Sequence, residues 1–357
     1  TTTTATITIT IEASGDVTAQ NDTGTVNEDG TLTVSNSGNA TSVTAATHDS
    51  SPFDVSLQTS TPYGIAFNDD GTKMFVMDPG ADDIEQYTLS TAFDVSTASF
   101  ERRSVTPGNR DSDVRGMVFN NDGTKLFYVG VGYIYPNTLS TAYDVISVSN
   151  ESSLDIRSQD TDPRDVKFNN DGTKMFVLGG AGNDVNEYTL STAFNLSTAS
   201  YSQNFSLSSQ VSDPSSITFN NDGKKMFVVD SGTDDDINEY TLSTAFDVST
   251  ASYVGNFSIS SEDSDPKGLV FNNDGTKMFV VGASGDDINE YSLTTPFSLV
   301  DVSGENTGDV IDTSSGSNSD SDADNDTLTV TAIRTGSSEG SGTAGTVGAA
   351  LTGTYGQ

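Results

Sequence analysis

The sequence lacks cysteine and tryptophan, and it has a single histidine, His48. Disulfides, thiol chemistry and zinc centres are therefore excluded. No apolar run approaches the roughly 18 residues that a membrane span needs, which excludes membrane insertion. Basic residues are also scarce, because 15 Lys and Arg stand against 51 Asp and Glu, a formal net charge of −36. Such a chain repels the phosphates of nucleic acid and attracts cations, so divalent metal is the expected counter-charge.

The composition of the 357 residues favours turn-rich β structure. Only 33% of the residues are hydrophobic, and Gly, Ser, Thr, Asp and Asn occur throughout. The length suits two or three domains. Residues 1–10 form a Thr-rich alternating strand pattern without the basic and apolar segments of a signal peptide, so we expect a piece of a longer polypeptide.

A repeat dominates the middle of the chain. The pattern Phe-Asn-x-Asp-Gly-x-Lys-x-Phe recurs at spacings of 49 to 52 residues. Periods near fifty are typical of propeller blades. The repeats begin at Phe67, Phe119, Phe168, Phe219 and Phe271.

Each repeat predicts four short strands. In one copy these are Ser215–Phe219, Lys225–Asp230, Ile237–Ser243 and Tyr201–Leu207. The Asp-Gly pair of the motif tolerates the positive φ angles of a tight hairpin, and the recurring Asp-Pro pairs predict turns that lead into the inner strands.

A second pattern shows where the outer strand of each repeat lies. An apolar residue of this outer strand stands nine residues before the proline of each Asp-Pro pair or before its equivalent, and the same offset places Phe53 before Pro62. We expect the segment Phe53–Gln58 to join the sheet of the last repeat, Lys267–Thr294, which would leave no open edge. The prediction is a five-bladed propeller in which the second blade, with Tyr133–Thr138, is irregular. A solenoid of stacked sheets is the alternative.

Both flanks of the repeat resemble one family. Segment 19–34 carries Asn-Asp-Thr followed by Glu-Asp-Gly-Thr-Leu, and segment 320–333 carries alternating Asp followed by Thr-Leu-Thr-Val. These blocks resemble the two parts of a VCBS-type, cadherin-like repeat of large bacterial surface adhesins. The resemblance implies a β-sandwich that is interrupted by the propeller, and the propeller repeat itself resembles Asp-Gly-Thr-Lys-type repeats of secreted bacterial proteins. The predicted fold class is all-β, with a partial cadherin-like sandwich at 1–46 and 301–357 around a propeller at 47–300.

A calcium site is predicted in the flanks. Closely spaced carboxylates can fold several oxygens around one hard cation, and Ca²⁺ takes six to eight oxygen ligands. The alternative is a solvated acidic linker. The predicted metal ligands are Asp320, Asp322, Asp324 and Asp326, with Glu28, Asp29, Asn21 and Asp22 as partners from the other half of the module.

Within the blades, acidic loops before the third strand could hold cations or bind a cationic or hydroxyl-rich ligand, although such residues more often make turns. These loops contain Asp82-Asp83, Asn183-Asp184, Asp234–Asp236 and Asp286-Asp287. A tyrosine recurs in the third strand as Tyr87, Tyr188, Tyr240 and Tyr291. We interpret it as packing between blades, with an aromatic sugar platform as the alternative.

Catalytic groups are sparse. A nucleophile–base pair would have to use His48, which we place in a connector ahead of the first blade. No pair of carboxylates stands out by spacing, and there is no glycine-rich phosphate loop. The chain is therefore expected not to be an enzyme.

The expected function is that of an extracellular, cell-surface segment of a fibre or adhesion protein, stabilised by calcium, whose partners are neighbouring modules or copies of itself. Surface glycans are further candidate partners. One alternative is a carbohydrate-binding or hydrolytic propeller on a sandwich stalk. Another is a filament subunit in which residues 1–11 donate a strand to the next copy.

Overall fold

The computed structural model describes residues 4–9, 22–27, 45–49, 52–105 and 113–300. Contacts between Cα atoms divide the chain into two units, one of residues 44–300 and one of residues 1–43 with 301–357. The described part of the latter unit is an antiparallel pair of strands, β1 (Thr4–Ile9) and β2 (Asp22–Asn27). A cadherin-like sandwich is not shown and stays a prediction.

Residues 44–300 form five antiparallel sheets, the blades of a propeller. Two short strands come first, β3 (Ala46–His48) and β4 (Phe53–Asp54). Blade 1, from its innermost strand outward, contains β5 (Ile65–Phe67), β6 (Lys73–Asp78), β7 (Asp83–Leu89) and β8 (Ala98–Val105). Blade 2 contains β9 (Met117–Phe119), β10 (Lys125–Gly130) and β11 (Tyr133–Leu139), with β12 (Val148–Asn150) and β13 (Leu154–Asp155) at its outer edge.

The remaining three blades follow the same order. Blade 3 contains β14 (Pro163–Phe168), β15 (Lys174–Gly179), β16 (Asp184–Leu190) and β17 (Ala199–Ser206). Blade 4 contains β18 (Pro214–Phe219), β19 (Lys225–Asp230), β20 (Asp236–Leu242) and β21 (Ala251–Ser258). Blade 5 contains β22 (Pro266–Phe271), β23 (Lys277–Gly282) and β24 (Asp287–Leu293). Single 3-10 turns lead into the outer strands of blades 1, 3 and 4 at Val95–Thr97, Leu196–Thr198 and Val248–Thr250.

The ring closes at the predicted blade, although the predicted segment Phe53–Gln58 contributes only Phe53–Asp54 as a strand and residues 56–58 form a turn. Strands β3 and β4 complete the outer edge of blade 5, where Phe53 lies opposite Ile288 and Ala46 lies opposite Leu293. Five blades and their closure are therefore confirmed, and a solenoid is excluded. The prediction of a connector at His48 is wrong, because His48 lies in β3 opposite Tyr291, and its Nε2 is 3.0 Å from Asn289 Oδ1.

The Asp-Gly hairpins explain the repeat motif. The Gly223 N–H donates to the Asn220 carbonyl at 3.0 Å, and the Lys225 N–H donates to Asn220 Oδ1 at 2.9 Å. Gly223 adopts a φ of 69°, and a Cβ there would overlap the Phe246 ring. Glycine is therefore required by both the backbone conformation and the packing.

The third-strand tyrosines pack between blades, which confirms that interpretation and rules out the sugar platform. Tyr240, for example, is fully buried and contacts Phe205 of the preceding blade edge-on, with 5.7 Å between ring centroids. The acidic loops make turns as expected, because Asp82, Asn183, Asp235 and Asp286 adopt φ angles of 45° to 56°.

Lysine–glutamate pairs link blades 3, 4 and 5 to the next blade around the ring. Lys225 Nζ lies 2.7 Å from Glu239 Oε1 and donates to the Phe297 carbonyl of blade 5 at 2.8 Å. Glu239 Oε2 in turn accepts the Leu299 N–H at 2.8 Å. The equivalent pairs are Lys174 with Glu187 and Lys277 with Glu290.

Blade 2 is the irregular one, as predicted. Its outer edge is divided between β12 and β13, whereas blades 1, 3 and 4 each have one eight-residue outer strand. Pro136 of β11 occupies the register position of Glu187 in blade 3, since each lies opposite the second phenylalanine of its repeat motif. Proline has no N–H to donate to an outer strand, which accounts for the interruption.

Candidate ligand site at the channel mouth

The innermost strands of the five blades surround a central channel. At one mouth, the five residues that follow Asp-Pro or its equivalent come together, and we call them the mouth ring. Ser215 Oγ donates to the Pro266 carbonyl of the next blade at 2.9 Å. The members of the mouth ring are Tyr63, Arg115, Arg164, Ser215 and Lys267.

The strands approach closely at this mouth because glycine follows three of the five positions. A Cβ on Gly64 would lie 2.8 Å from the Arg115 carbonyl oxygen, and one on Gly268 would overlap the Tyr63 carbonyl. Neighbouring backbones therefore touch, which brings side chains from different blades to the channel axis.

Carboxylates surround the cations of the mouth ring. Arg115 pairs with Asp113 at 2.6 Å and with Asp162 at 2.5 Å, and Arg164 pairs with Asp162 at 2.8 Å and with Asp213 at 3.4 Å. The third cation of the mouth ring, Lys267, pairs with Asp265. We call Asp113, Asp162, Asp213 and Asp265 the outer carboxylates.

The cations are more deeply buried than the outer carboxylates. The basic side chains of the mouth ring are 16 to 19% exposed, whereas the outer carboxylates are 36 to 46% exposed. A ligand that approaches from solvent therefore meets hydrogen-bond acceptors first and donors beneath them. Arginine supplies a planar fork of donors and aspartate supplies acceptors, which together suit vicinal hydroxyl groups.

Tyr63 lies at the centre of the mouth ring. Its ring centroid is 5.9 Å from the Arg115 guanidinium carbon and 5.8 Å from Lys267 Nζ. Burial raises the pKa of the Tyr63 hydroxyl to about 12, while the Arg164 and Arg115 charges act in the opposite direction. Tyr63 is 7% exposed, and its hydroxyl oxygen accepts a hydrogen bond from the Arg164 guanidinium.

A buried aspartate lines the channel next to the mouth ring. Asp165 is buried and accepts hydrogen bonds from Ser216 Oγ at 2.8 Å, from the Ile217 N–H at 3.1 Å and from Lys167 Nζ at 2.7 Å. The space beside Asp165 leaves no room for a molecule as large as water, so a ligand would contact the mouth and not enter the channel.

The structure does not test the predicted metal ligands. Asp320, Asp322, Asp324, Asp326, Glu28, Asp29 and Asn21 lie outside the described residues, and Asp22 is described only as the first residue of β2. Among the residues that the structure does describe, no group of three or more acidic or histidine side chains could hold a metal ion. Calcium binding therefore stays a prediction.

Sequence reasoning missed the mouth ring. The Asp-Pro pairs lie at the entry to the innermost strands as predicted, since the chain bends at Asp162 and Asp213 and the strands β14 and β18 begin at the prolines that follow. The signal that could have revealed the site is the residue after each pair, which is basic in three of five repeats of a chain with only 15 basic residues.

No protein-family model matches the chain, and no curated protein matches it. Solved structures are similar in fold. A functionally unknown protein from Desulfotomaculum acetoxidans is 14% identical, with 62% of each chain covered and a TM-score of 0.40, so the chain spans 62% of that protein's length. A periplasmic gluconolactonase of Pseudomonas aeruginosa is 15% identical over 67% of this chain and 68% of its own, with a TM-score of 0.43. A luciferin-regenerating enzyme is 11% identical over 69% of this chain and 96% of its own, also with a TM-score of 0.43.

These comparisons correct the expectation that the chain is not an enzyme. A gluconolactonase and a luciferin-regenerating enzyme are among the proteins with a similar fold, so that expectation is wrong. At these identities the likeness concerns the fold alone and carries no substrate to this chain.

Among the described residues, no helix is long and apolar enough to cross a membrane.

Proposed function

We propose that the propeller binds a carbohydrate or a carbohydrate derivative at the channel mouth. The observation that carries the proposal is the mouth ring, in which Tyr63 is surrounded by arginine, lysine and aspartate side chains that offer both hydrogen-bond donors and acceptors. Carbohydrate hydroxyl groups both donate and accept hydrogen bonds, so they match such a mixed set of partners.

Hydrolysis is the second candidate function, and it is favoured by the two guanidinium groups that share Asp162. Water would add to the carbonyl carbon of an ester or lactone, and an outer carboxylate would accept the proton. Arginine N–H groups would stabilise the negative charge that develops on the carbonyl oxygen. Cleavage of the carbon–oxygen bond would then return the proton to the leaving oxygen.

The matched test compares variants at two arginine–aspartate pairs. Arg164→Gln alters the mouth ring, whereas Arg157→Gln alters an exposed arginine that pairs with Asp155 at 2.6 Å and lies 4.9 Å from the Tyr133 ring on the outside of blade 2. Glycan-array binding and acid release from a panel of sugar lactones and esters should fall for the first variant only. A folded wild-type protein that is silent in both assays would contradict the proposal.

The flanking unit is proposed to place this propeller in an extracellular, cell-surface protein. The support is the resemblance to VCBS-type modules and the net charge of −36. Calcium, held by Asp320, Asp322, Asp324 and Asp326, is the proposed stabilising ion, and neighbouring modules or further copies of the chain are the proposed partners.

A further inference from the structure

The ring is closed by two short strands, β3 and β4, which pair with β24, and we call this contact the seam. We infer that the seam is sensitive to pH: it opens more often as the pH rises from acid towards neutral, because Asp54 and Asp287 face each other across it. Strand β3 has three residues and β4 has two, whereas the outer strands of blades 1, 3 and 4 have eight each. Few bonds hold the seam, so a single titrating group can change how often it opens.

Two carboxylates are opposite each other in the seam. Asp54 of β4 is the register partner of Asp287 of β24. In blades 3 and 4 the partner of the equivalent aspartate is a serine, as for Asp184 with Ser206. Like charges directly opposite on antiparallel strands are destabilising. The seam is therefore weakened when both carboxylates are ionised.

Asp287 also has fewer hydrogen-bond donors than its equivalents. In blade 3 the two oxygens of Asp184 accept from the amides of Asn186 and Asn204, each at 2.6 Å. In blade 5, among the described residues, the Asn289 amide alone donates to Asp287, at 2.7 Å. The outer-strand amide has no counterpart there, since β24 pairs with two separate short strands. An ionised Asp287 is therefore less well compensated than an ionised Asp184.

Further acidic groups surround Asp287. Asp263 is 4% exposed and lies beside the same glycine, because a Cβ on Gly282 would meet both Asp263 Oδ2 and Asp287 Oδ1. Asp286 precedes Asp287 in the chain. Among the described residues that face Asp287, His48 of β3 alone can carry a positive charge. Histidine changes its charge between pH 5 and 8, so this compensation also declines as the pH rises.

Protonation of Asp287 supplies the pH dependence. Burial, together with the charges of Asp263 and Asp54, raises the pKa of Asp287 to about 6. Hydrogen bonds from Ser56 lower the pKa of Asp54, so Asp54 stays ionised. A carboxyl with a raised pKa binds its proton more tightly in the closed seam than when it is solvated. Its contribution to closure is therefore complete below the ordinary pKa of 3.8 and is lost as the pH rises through about 6.

Blade 2 is an internal control for the length of the strands. Its outer edge also consists of a three-residue strand and a two-residue strand, β12 and β13. Asp155 of β13 follows a leucine as Asp54 follows Phe53, but its register partner is Tyr133 and not a carboxylate. Blade 2 thus has a divided outer edge without opposed charges.

The experiment measures amide hydrogen exchange in the full chain by NMR from about pH 4 to pH 8, with each rate corrected for its intrinsic dependence on pH. The Val55 N–H donates to the Asp286 carbonyl beside β24 at 2.9 Å, and the equivalent Ile156 N–H of blade 2 donates at 3.0 Å. Unfolding of the whole propeller exposes both amides alike, so the ratio of their protection factors reports the seam. This ratio should fall by up to about 100-fold as the pH rises, since each step of one in pKa is a factor of ten in the equilibrium.

Three variants assign the effect. Asp287→Asn should keep the ratio near its acid value at every pH, because the amide cannot ionise. Asp54→Asn should reduce the fall, because it removes the opposing charge, and Asp155→Asn should follow the wild type. Equal pH dependence of the two amides in the wild type would overturn the inference. A fall that persists in folded Asp287→Asn would overturn it as well, since another group would then control the seam.

Discussion

The Tyr143 hydroxyl donates a hydrogen bond of 2.6 Å to Asp69 Oδ1, and this bond joins blade 2 to blade 1 at the hairpin end of the channel. At the other four junctions an asparagine amide donates to the backbone carbonyl of the next hairpin, as from Asn121 to Asn170 at 2.6 Å. The remaining three bonds run from Asn170 to Asn221, from Asn221 to Asn273 and from Asn273 to Asp69.

Blade 1 holds Asp69 at the position where the other four blades hold asparagine. An aspartate cannot donate the amide hydrogen that would complete this ring of hydrogen bonds between blades, and the Tyr143 hydroxyl supplies the missing donor. Tyr143 occupies the position that holds phenylalanine in the other four blades. The two departures from the repeat therefore compensate each other.

The compensation predicts energetic coupling. Tyr143→Phe alone should lower the free energy of unfolding by about 1 kcal/mol, because it removes a hydrogen bond to a charged acceptor. The double variant Asp69→Asn, Tyr143→Phe should recover most of that loss, since the new amide can donate to the Asn121 carbonyl. Urea unfolding of the two single variants and the double variant measures the coupling, and additive effects within about 0.3 kcal/mol would contradict the link.

Glu85 should make stability depend on pH. It is fully buried in β7 beside Arg103, where blades 3, 4 and 5 hold asparagine, and burial raises its pKa to about 7. A raised carboxyl pKa means that the protonated form is favoured in the fold. The contribution of Glu85 to stability is therefore greatest below its unfolded pKa of about 4.5 and is lost as pH rises through about 7.

The variant Glu85→Gln should flatten this profile, and the gain over wild type should approach about 3 kcal/mol above pH 7. Asp155→Asn is the control, because hydrogen bonds from Arg157 lower the pKa of that exposed carboxyl to about 2. Its profile between pH 5 and 8 should follow that of the wild type. Thermal unfolding across this range measures both, and a parallel decline of Glu85→Gln with the wild type would rule out Glu85 as the cause.

Closure of the ring should depend on Phe53. Its ring contacts Tyr87 of blade 1 edge-on at 5.5 Å, and its strand β4 pairs with β24. Phe53→Ala should cost about 2–3 kcal/mol, somewhat less than a fully buried phenylalanine, because the side chain is half-buried. Leu57→Ser in the same segment is the control, since Leu57 is 89% exposed and should change the urea midpoint little. Similar losses for the two variants would count against the packing argument.

Removing one charge of a lysine–glutamate pair should lower the stability of the propeller more than removing both charges. Glu239 is 1% exposed, so Lys225→Met would leave a buried charge without its partner and should cost about 3 kcal/mol or more. Adding Glu239→Gln should restore part of that loss, because blade 1 tolerates Gln86 at the equivalent position. Chemical unfolding of both variants is the measurement, and a double variant that is less stable than Lys225→Met would contradict it.

Calcium removal should act on the flanking unit if the predicted ligands bind. An ion that binds only the folded state stabilises it in proportion to the logarithm of its concentration over Kd. Chelator should then lower the melting temperature of the full chain, and Asp322→Asn with Asp324→Asn should abolish the shift. No shift with chelator in the wild-type chain would remove the calcium proposal.

The blades and the closure of the ring were predictable because local sequence patterns that recur in every repeat indicate them. The hairpin of Asn220–Lys225 is local, and the nine-residue offset of Phe53 from Pro62 could be compared with four other copies. The prediction for His48 failed because β3 lacks the repeat pattern and is ordered only by pairing with β24, more than 240 residues away.

The channel mouth was not predictable in the same way. Arg115 and Asp162 meet only when the ring is closed, and no spacing in the sequence marks them as neighbours. One further hydrogen bond is supplied from different chain positions in different blades, which the sequence does not reveal. In blade 3 the carboxylate comes from Asp160, which lies beside Gly179 and accepts the Gly182 N–H at 2.7 Å. In blade 4 it comes from Asp230, which lies on the facing strand and accepts the Gly232 N–H at 2.9 Å.

The pairing of β3 with β24 has a mechanical consequence. Ala46 and Leu293 lie opposite each other, and the Thr294 N–H donates to the Ala45 carbonyl at 2.9 Å. Force that separates Ala45 from Thr294 would thus open this antiparallel pair one hydrogen bond at a time, instead of shearing all of its bonds together. Once residues 295–300 are detached from blade 4, the propeller should therefore open at this pair of strands under a small force, while the other four blades stay folded.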